Sequence, residues 1–194
     1  MRSRLPGRAA PHPAKTRRST NGNPPSSRRD TGAHLDRLLE TPIPLDSFRS
    51  RGLLVDVRDE CARREIRPDD LPERVLPGDF VIFWSGRLER LGYGSREYLD
   101  APFALSWELV DHLLERRVRF IGVDARGIRG NAEHRRADEH YERGGAFVIE
   151  NLSDLERLPV GMPLTVYTLC FDNGGTGVPC RVVAETKEAP APRK

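Results

Sequence analysis

Cysteine is scarce in this chain. Cys61, Cys170 and Cys180 are the three among 194 residues. They are too few for a disulfide framework, and their spacing fits no zinc site. A reducing compartment is therefore the default expectation, with the cytoplasm as location. Long apolar runs are missing too. No stretch of about 18 apolar residues exists, which excludes an obvious membrane-spanning helix. The first residues lack the apolar core of a secretion signal. Acids are absent from residues 1–29, which hold eight of the 32 Arg and Lys side chains. The remaining 165 residues thus carry 24 basic against 29 acidic groups, a net of −5. The basic balance belongs to the beginning of the chain. A domain that binds nucleic acid usually carries its own basic face, so that partner is disfavoured for everything but the basic segment.

The opening segment is rich in Pro, Ser, Gly and Arg and nearly free of large apolar residues. It cannot bury enough surface to offset its ordering entropy, so disorder is expected there. Three roles compete. It suits an organelle transit peptide, an arm for nucleic acid or anionic lipid, or a replacement for a lost N-terminal part of the domain. The expected organisation is a basic tail over 1–30, one domain over 31–187, and a short tail over 188–194.

Within the domain, "GLLVDVR" (52–58) and "LPGDFVIFWSGR" (76–87) read as buried strands behind glycine-containing turns. "ALSWELVDHLLERR" (104–117) predicts a helix, with Ser106 as N-cap and Leu109, Val110, Leu113 and Leu114 as its apolar stripe. "VRFIGVDA" (118–125) predicts a third strand. A polar helix over 131–145 ends at a double glycine, and "AFVIENL" (146–152) follows as a fourth strand. "PLTVYTLCF" (163–171) and "PCRVVAET" (179–186) pair as a hairpin across the glycine-rich "DNGGTG". Cys170 and Cys180 would face each other there. Residues 59–75 and 86–103 read as loops, the second long enough to suggest a surface or active-site segment. Strands alternating with helices, then a hairpin, indicate a mixed α/β domain.

Several side chains suit metal chemistry. Asp30, His34 and Asp36 stand close together in "DTGAHLD". Glu150 ends a buried strand, where an unpartnered carboxylate is costly to desolvate unless a cation meets it. An arginine would serve as well, and this chain has many. His134 and Asp138 share one helix face at i, i+4. Their surroundings, "EHRRADEHYER", are charged all round, which also describes a solvated helix that would keep His140 at the surface. Trp84 fits either a pocket for an aromatic substrate or the core.

The order "GDFVIFWSGR", "LVDHLLERRVRFIGVDARGIRG", "EHRRADEHY", "GGAFVIENLSDLERLP" and "GTGVPCRVVAE" resembles the cyclase family of metal-dependent hydrolases, which includes kynurenine formamidase and isatin hydrolase. The resemblance spans roughly residues 43–186. It implies a swivelling β/β/α domain with a mixed sheet, assembled as homodimers or homotetramers. It further implies a manganese or zinc ion and a small amide or formamide substrate, such as an aryl formamide of the N-formylkynurenine kind. The family's signature is His-x-Gly-Thr-His-x-Asp, then Pro-x-His, with a helical His and the Glu of "EN" as further ligands. Glu150 matches that Glu, and Asp138 stands where the helical His usually lies. Gly32, His34 and Asp36 match the signature, whereas its first His is Asp30 and its Thr is Ala33. Pro-x-His falls on Leu38 and Glu40, leaving Glu40 as the candidate base.

A second register competes. "GAHLDRL" and "PLDSF" (44–48) also resemble a segment that follows the family's metal motif. Under that register "DTGAHLD" is a loop, the metal motif is absent, and the chain is a non-catalytic or truncated family member without a complete metal site. The interval of about twenty residues from His34 to "LLVDV" is short for the family and favours the loop.

Overall fold

The computed structural model describes residues 32–171 and 174–186. Seven strands close into a barrel: β1 (His34–Asp36), β2 (Arg49–Asp56), β3 (Phe80–Trp84), β4 (Phe120–Val123), β5 (Phe147–Glu150), β6 (Pro163–Cys170) and β7 (Gly177–Glu185). Their order around it is β1-β5-β4-β3-β2-β6-β7, and β7 closes back onto β1. Strands β2, β3, β4 and β5 pair in parallel. β6, β7 and β1 complete the wall in antiparallel fashion. Parallel strands need crossovers. Here these hold α1 (Arg87–Leu91), α2 (Arg96–Asp100), α3 (Trp107–Glu115) and α4 (His134–Arg143).

Alternation along the strands builds two cores. Leu54, Phe80, Ile82, Phe120, Phe147 and Ile149 point into the barrel, where Leu35, Leu164, Val166 and Val178 from the antiparallel strands meet them. Leu53, Val55, Val81, Phe83, Ile121 and Val148 point outward, against Leu109, Val110 and Leu113 of α3 and Ala137 and Tyr141 of α4. Both faces of β3, β4 and β5 are therefore buried, which explains their continuous apolar runs.

The expected elements are present with shifted bounds, β2 and β7 beginning earlier than expected and the others shorter. Ser106 accepts the Leu109 N–H and starts α3, as its position predicts. Gly144 and Gly145 end α4, Gly145 at φ +77°, a conformation glycine adopts without the Cβ penalty. The hairpin of β6 and β7 pairs Cys170 with Cys180 in register, and both thiols are free. Trp84 lies in the barrel core, donates to Glu89 Oε1 (3.1 Å), and carries the Arg58 guanidinium 3.7 Å from its ring centre. It is a core residue, as the plainer reading of the sequence expects. Two expectations fail. The 86–103 segment is not a structureless loop, since α1 and α2 form in it. Residues 34–36 are a strand rather than a loop. Three residues with one apolar side chain carry too little periodicity to be read, and the pairing with β5 and β7 supplies what the local sequence does not. Among the described residues no helix is long and apolar enough to cross a membrane.

Candidate metal centre

β1 lies between β5 and β7, and its register sets the site. His34 pairs with Glu150, and Asp36 with Val148. Leu35 points into the barrel, so His34 and Asp36 project to the outer face, as Glu150 does. α4 covers that face. Its first turn offers His134, and the next turn offers Asp138 from the same side.

Asp36, His134, Asp138 and Glu150 each bring one donor atom into a group whose members all lie within 4.8 Å of one another. His134 Nε2 is 2.7 Å from Glu150 Oε1, 3.0 Å from Asp138 Oδ2 and 4.0 Å from Asp36 Oδ2. His34 stands at the edge of the group, with Nε2 at 3.6 Å from both Asp36 Oδ1 and Glu150 Oε2. The structure thus brings together His34, Asp36, His134, Asp138 and Glu150. Glu40 is outside the group, exposed on the loop after β1 with a left-handed backbone (φ +58°). Asp30 lies outside the described residues.

The electrostatics are those of crowded acids around one imidazole. Burial, then the neighbouring Glu150 and Asp138 charges, pushes the Asp36 carboxyl well above the usual range. Burial raises Asp138 to about 6, against the opposing pull of His134. The Asp138 and Glu150 carboxylates raise His134 to about 10. In the ion-free protein a proton on His134 stands where a cation would otherwise sit. It does not satisfy every donor atom. Asp36 Oδ2 and Asp138 Oδ1 are buried and have no hydrogen-bond partner. Buried carboxylate oxygens without a donor are costly. A divalent cation would satisfy both. The donor set, three carboxylates and one or two imidazoles without thiolate, suits a hard or borderline ion.

Two glycines make room for the imidazoles. A Cβ on Gly127 (φ +81°) would lie 2.9 Å from the His134 ring, and one on Gly177 would lie 3.2 Å from the His34 ring. Glu142, one turn beyond Asp138 on α4, is buried and accepts the backbone N–H groups of Leu38, Leu39 and Thr41 at 2.6–2.9 Å. It ties the loop after β1 to α4. Sequence reasoning missed Glu142, because its neighbours in "EHYERGG" look solvated. The one available signal was its i, i+4 spacing from Asp138. His140 lies at the surface, as expected there, 2.7 Å from Asp111.

A cavity of about 760 Å³ opens on the other side of β1. Ile82, Leu152, Leu155, Val182 and Ala184 line it together with Gly32 and Asn151. None of the four clustered donor residues lines it.

The model of the Cyclase family ("Putative cyclase") matches residues 15–128, more than half of the chain. The chain belongs to the Cyclase family. The match begins inside the segment read as a basic tail. Among solved structures, this cyclase-family chain is similar to a potential metal-dependent hydrolase with cyclase activity. That likeness has 23% identity and a TM-score of 0.63, covering 79% of this chain and 77% of the other. It is also similar to isatin hydrolase A from Labrenzia aggregata bound to benzyl benzoate, at 19% identity and a TM-score of 0.68 over 81% and 73% of the two chains. Isatin hydrolase A from Ralstonia solanacearum gives 20% and 0.68 over 79% and 70%. At these identities the likeness is one of fold. No curated protein matches the chain.

Proposed function

We propose that this chain is a metal-dependent hydrolase of a small amide or formamide, with manganese or zinc held by Asp36, His134, Asp138 and Glu150. The observation that carries the reading is the convergence of these four residues, with buried carboxylate oxygens left unpartnered on two of them. Family membership and the likeness to isatin hydrolases support hydrolysis of a carbonyl–nitrogen bond. The aryl formamide substrate and the swivelling β/β/α arrangement rest on the sequence resemblance. A divalent ion in such a site supplies polarisation of a carbonyl oxygen and acidification of water. The protein's own part is to hold three carboxylates near one another in a largely dry site, and to keep an imidazole beside them. His34, whose Nε2 lies 3.6 Å from two of the carboxylates, is the group placed to ligate or to carry a proton. Glu40, exposed on its loop, is not so placed.

The test is direct. Purified protein is analysed for bound metal, then assayed with N-formylkynurenine, simple aryl formamides and isatin, before and after manganese or zinc is added. The reading expects about one equivalent of metal and turnover that a chelator abolishes. No metal and no turnover under any condition sinks it. A second reading, a non-catalytic family member, is favoured by one observation. Asp30 and Glu40 occupy positions where the family signature has His. Metal binding without turnover of any substrate would support that reading.

A further inference from the structure

The long 86–103 segment has a role that the cluster itself does not explain. Tyr93 and Tyr98, their ring centres 5.9 Å apart, both connect to Gly32, the residue that leads into β1, the first directly and the second through Asn151. The Tyr93 hydroxyl accepts the Gly32 N–H at 2.9 Å. The Gly32 carbonyl accepts from two groups: the Asn151 side-chain amide at 3.2 Å and His34 Nδ1 at 2.9 Å. Asn151 is buried, held at φ +59°, and its Oδ1 accepts from the buried Tyr98 hydroxyl. The Asn151 amide nitrogen also lies 3.4 Å from His34 Nδ1, but the shorter contact of that ring nitrogen with the Gly32 carbonyl decides where its proton sits. A carbonyl oxygen cannot sit 2.9 Å from an unprotonated ring nitrogen without repulsion, so His34 Nδ1 carries the hydrogen. The Asn151 NH2 then faces the same carbonyl, and its oxygen accepts from the Tyr98 hydroxyl.

We infer that Tyr98 and Asn151 are positioning residues for His34. They hold Gly32 so that its carbonyl keeps a proton on His34 Nδ1 and aims Nε2 at the Asp36–Glu150 cluster. Tyr93 supports the same residue from its amide side. A histidine that serves a metal or carries a proton depends on such a partner at its other nitrogen, and loss of the partner typically costs ten- to a hundred-fold in metal affinity. The sequence places both tyrosines in the segment that covers the N-terminal end of β1. That segment therefore shapes the site without supplying a donor to it.

The affinity arm of this inference rests on the proposed metal site, and the tautomer arm does not. Tyr98→Phe removes one hydroxyl and keeps the ring. Asn151→Gly tolerates the left-handed backbone and removes the whole amide. Both variants and the parent are labelled with 15N at histidine, and the His34 ring is examined by long-range proton–nitrogen correlation. The parent is expected to show the Nδ1–H form, with an Nδ1 proton protected from exchange. Both variants should lose that protection and bind zinc roughly ten-fold or more weakly, with unchanged circular dichroism. The inference is overturned if Nδ1 carries no proton in the parent. It is equally overturned if both folded variants keep the parent's Nδ1–H signal. If the parent binds no metal, the proposed function fails while the tautomer measurement still decides the positioning role.

Discussion

At the scale of single residues, the site is a contest between protons and a cation for the same atoms. His134 is raised to about 10 by two carboxylates, and Asp138 is raised to about 6 by burial. Both groups bind their proton more tightly folded than unfolded. Each therefore contributes stability that is complete below its unfolded value and is lost as pH rises through its folded value. The windows run from 3.8 to about 6 for Asp138 and from 6.5 to about 10 for His134. The melting temperature of the metal-free protein should fall between neutral pH and about 10, and the fall should be smaller in His134→Gln. Manganese or zinc affinity should move the opposite way and rise over that range, because binding displaces those protons. Calorimetry in buffers of different ionisation enthalpy measures the release. Gly127 bears on the same imidazole. Gly127→Ala places a Cβ 2.9 Å from the His134 ring at a φ of +81°. It should cost about 1–3 kcal/mol in stability and weaken metal binding, both visible in a zinc titration followed by denaturation.

At the scale of elements, α4 does two things that its composition conceals. A helix reading "HRRADEHYER" has almost no apolar stripe, yet Ala137, Asp138, Tyr141 and Glu142 are all buried. Two of those four are acids, so hydropathy cannot mark the buried face. The i, i+4 spacing of His134 and Asp138 was legible, as was Glu150 at the end of its strand. β1 was not, and on spacing alone the sequence favoured a loop there. Its three residues become a strand because two neighbours offer edges to pair with. What the sequence concealed is thus what long-range pairing decides. Glu142 gives this a measurable form. It receives three backbone N–H groups from the 38–41 loop. Glu142→Ala should cost about 1–3 kcal/mol, as buried donors lose their acceptor. Glu139→Ala, a half-buried partner of the exposed Arg135 and Arg143, should cost less than about 1 kcal/mol. Urea midpoints of the two variants separate the predictions. Equal midpoints would mean that the loop is held by something other than Glu142.

At the scale of the molecule, the barrel joins a parallel half to an antiparallel half, and β2 is one of the joints. It pairs in parallel with β3 on one side and antiparallel with β6 on the other. Gly52 lies in that joint, opposite both Phe80 and Leu164. A Cβ there would lie 2.3 Å from Val166 Cγ2, a methyl group in the barrel core that has no flexible arm to swing away. Close packing makes such an intrusion expensive. Gly52→Ala should therefore destabilise the whole protein by about 1–3 kcal/mol. The loss belongs to the closure and not to β2 alone, so removing the obstructing methyls should restore part of it. Val166→Ala by itself opens a cavity and should also destabilise. The pair Gly52→Ala with Val166→Ala should then lose less than the sum of the two, with a coupling of about 0.5–3 kcal/mol. Additive losses in denaturant titrations would show that β2 and β6 do not meet as the closed barrel requires. Because the β1–β7 contact depends on the same closure, the double variant should also recover metal affinity in proportion to stability.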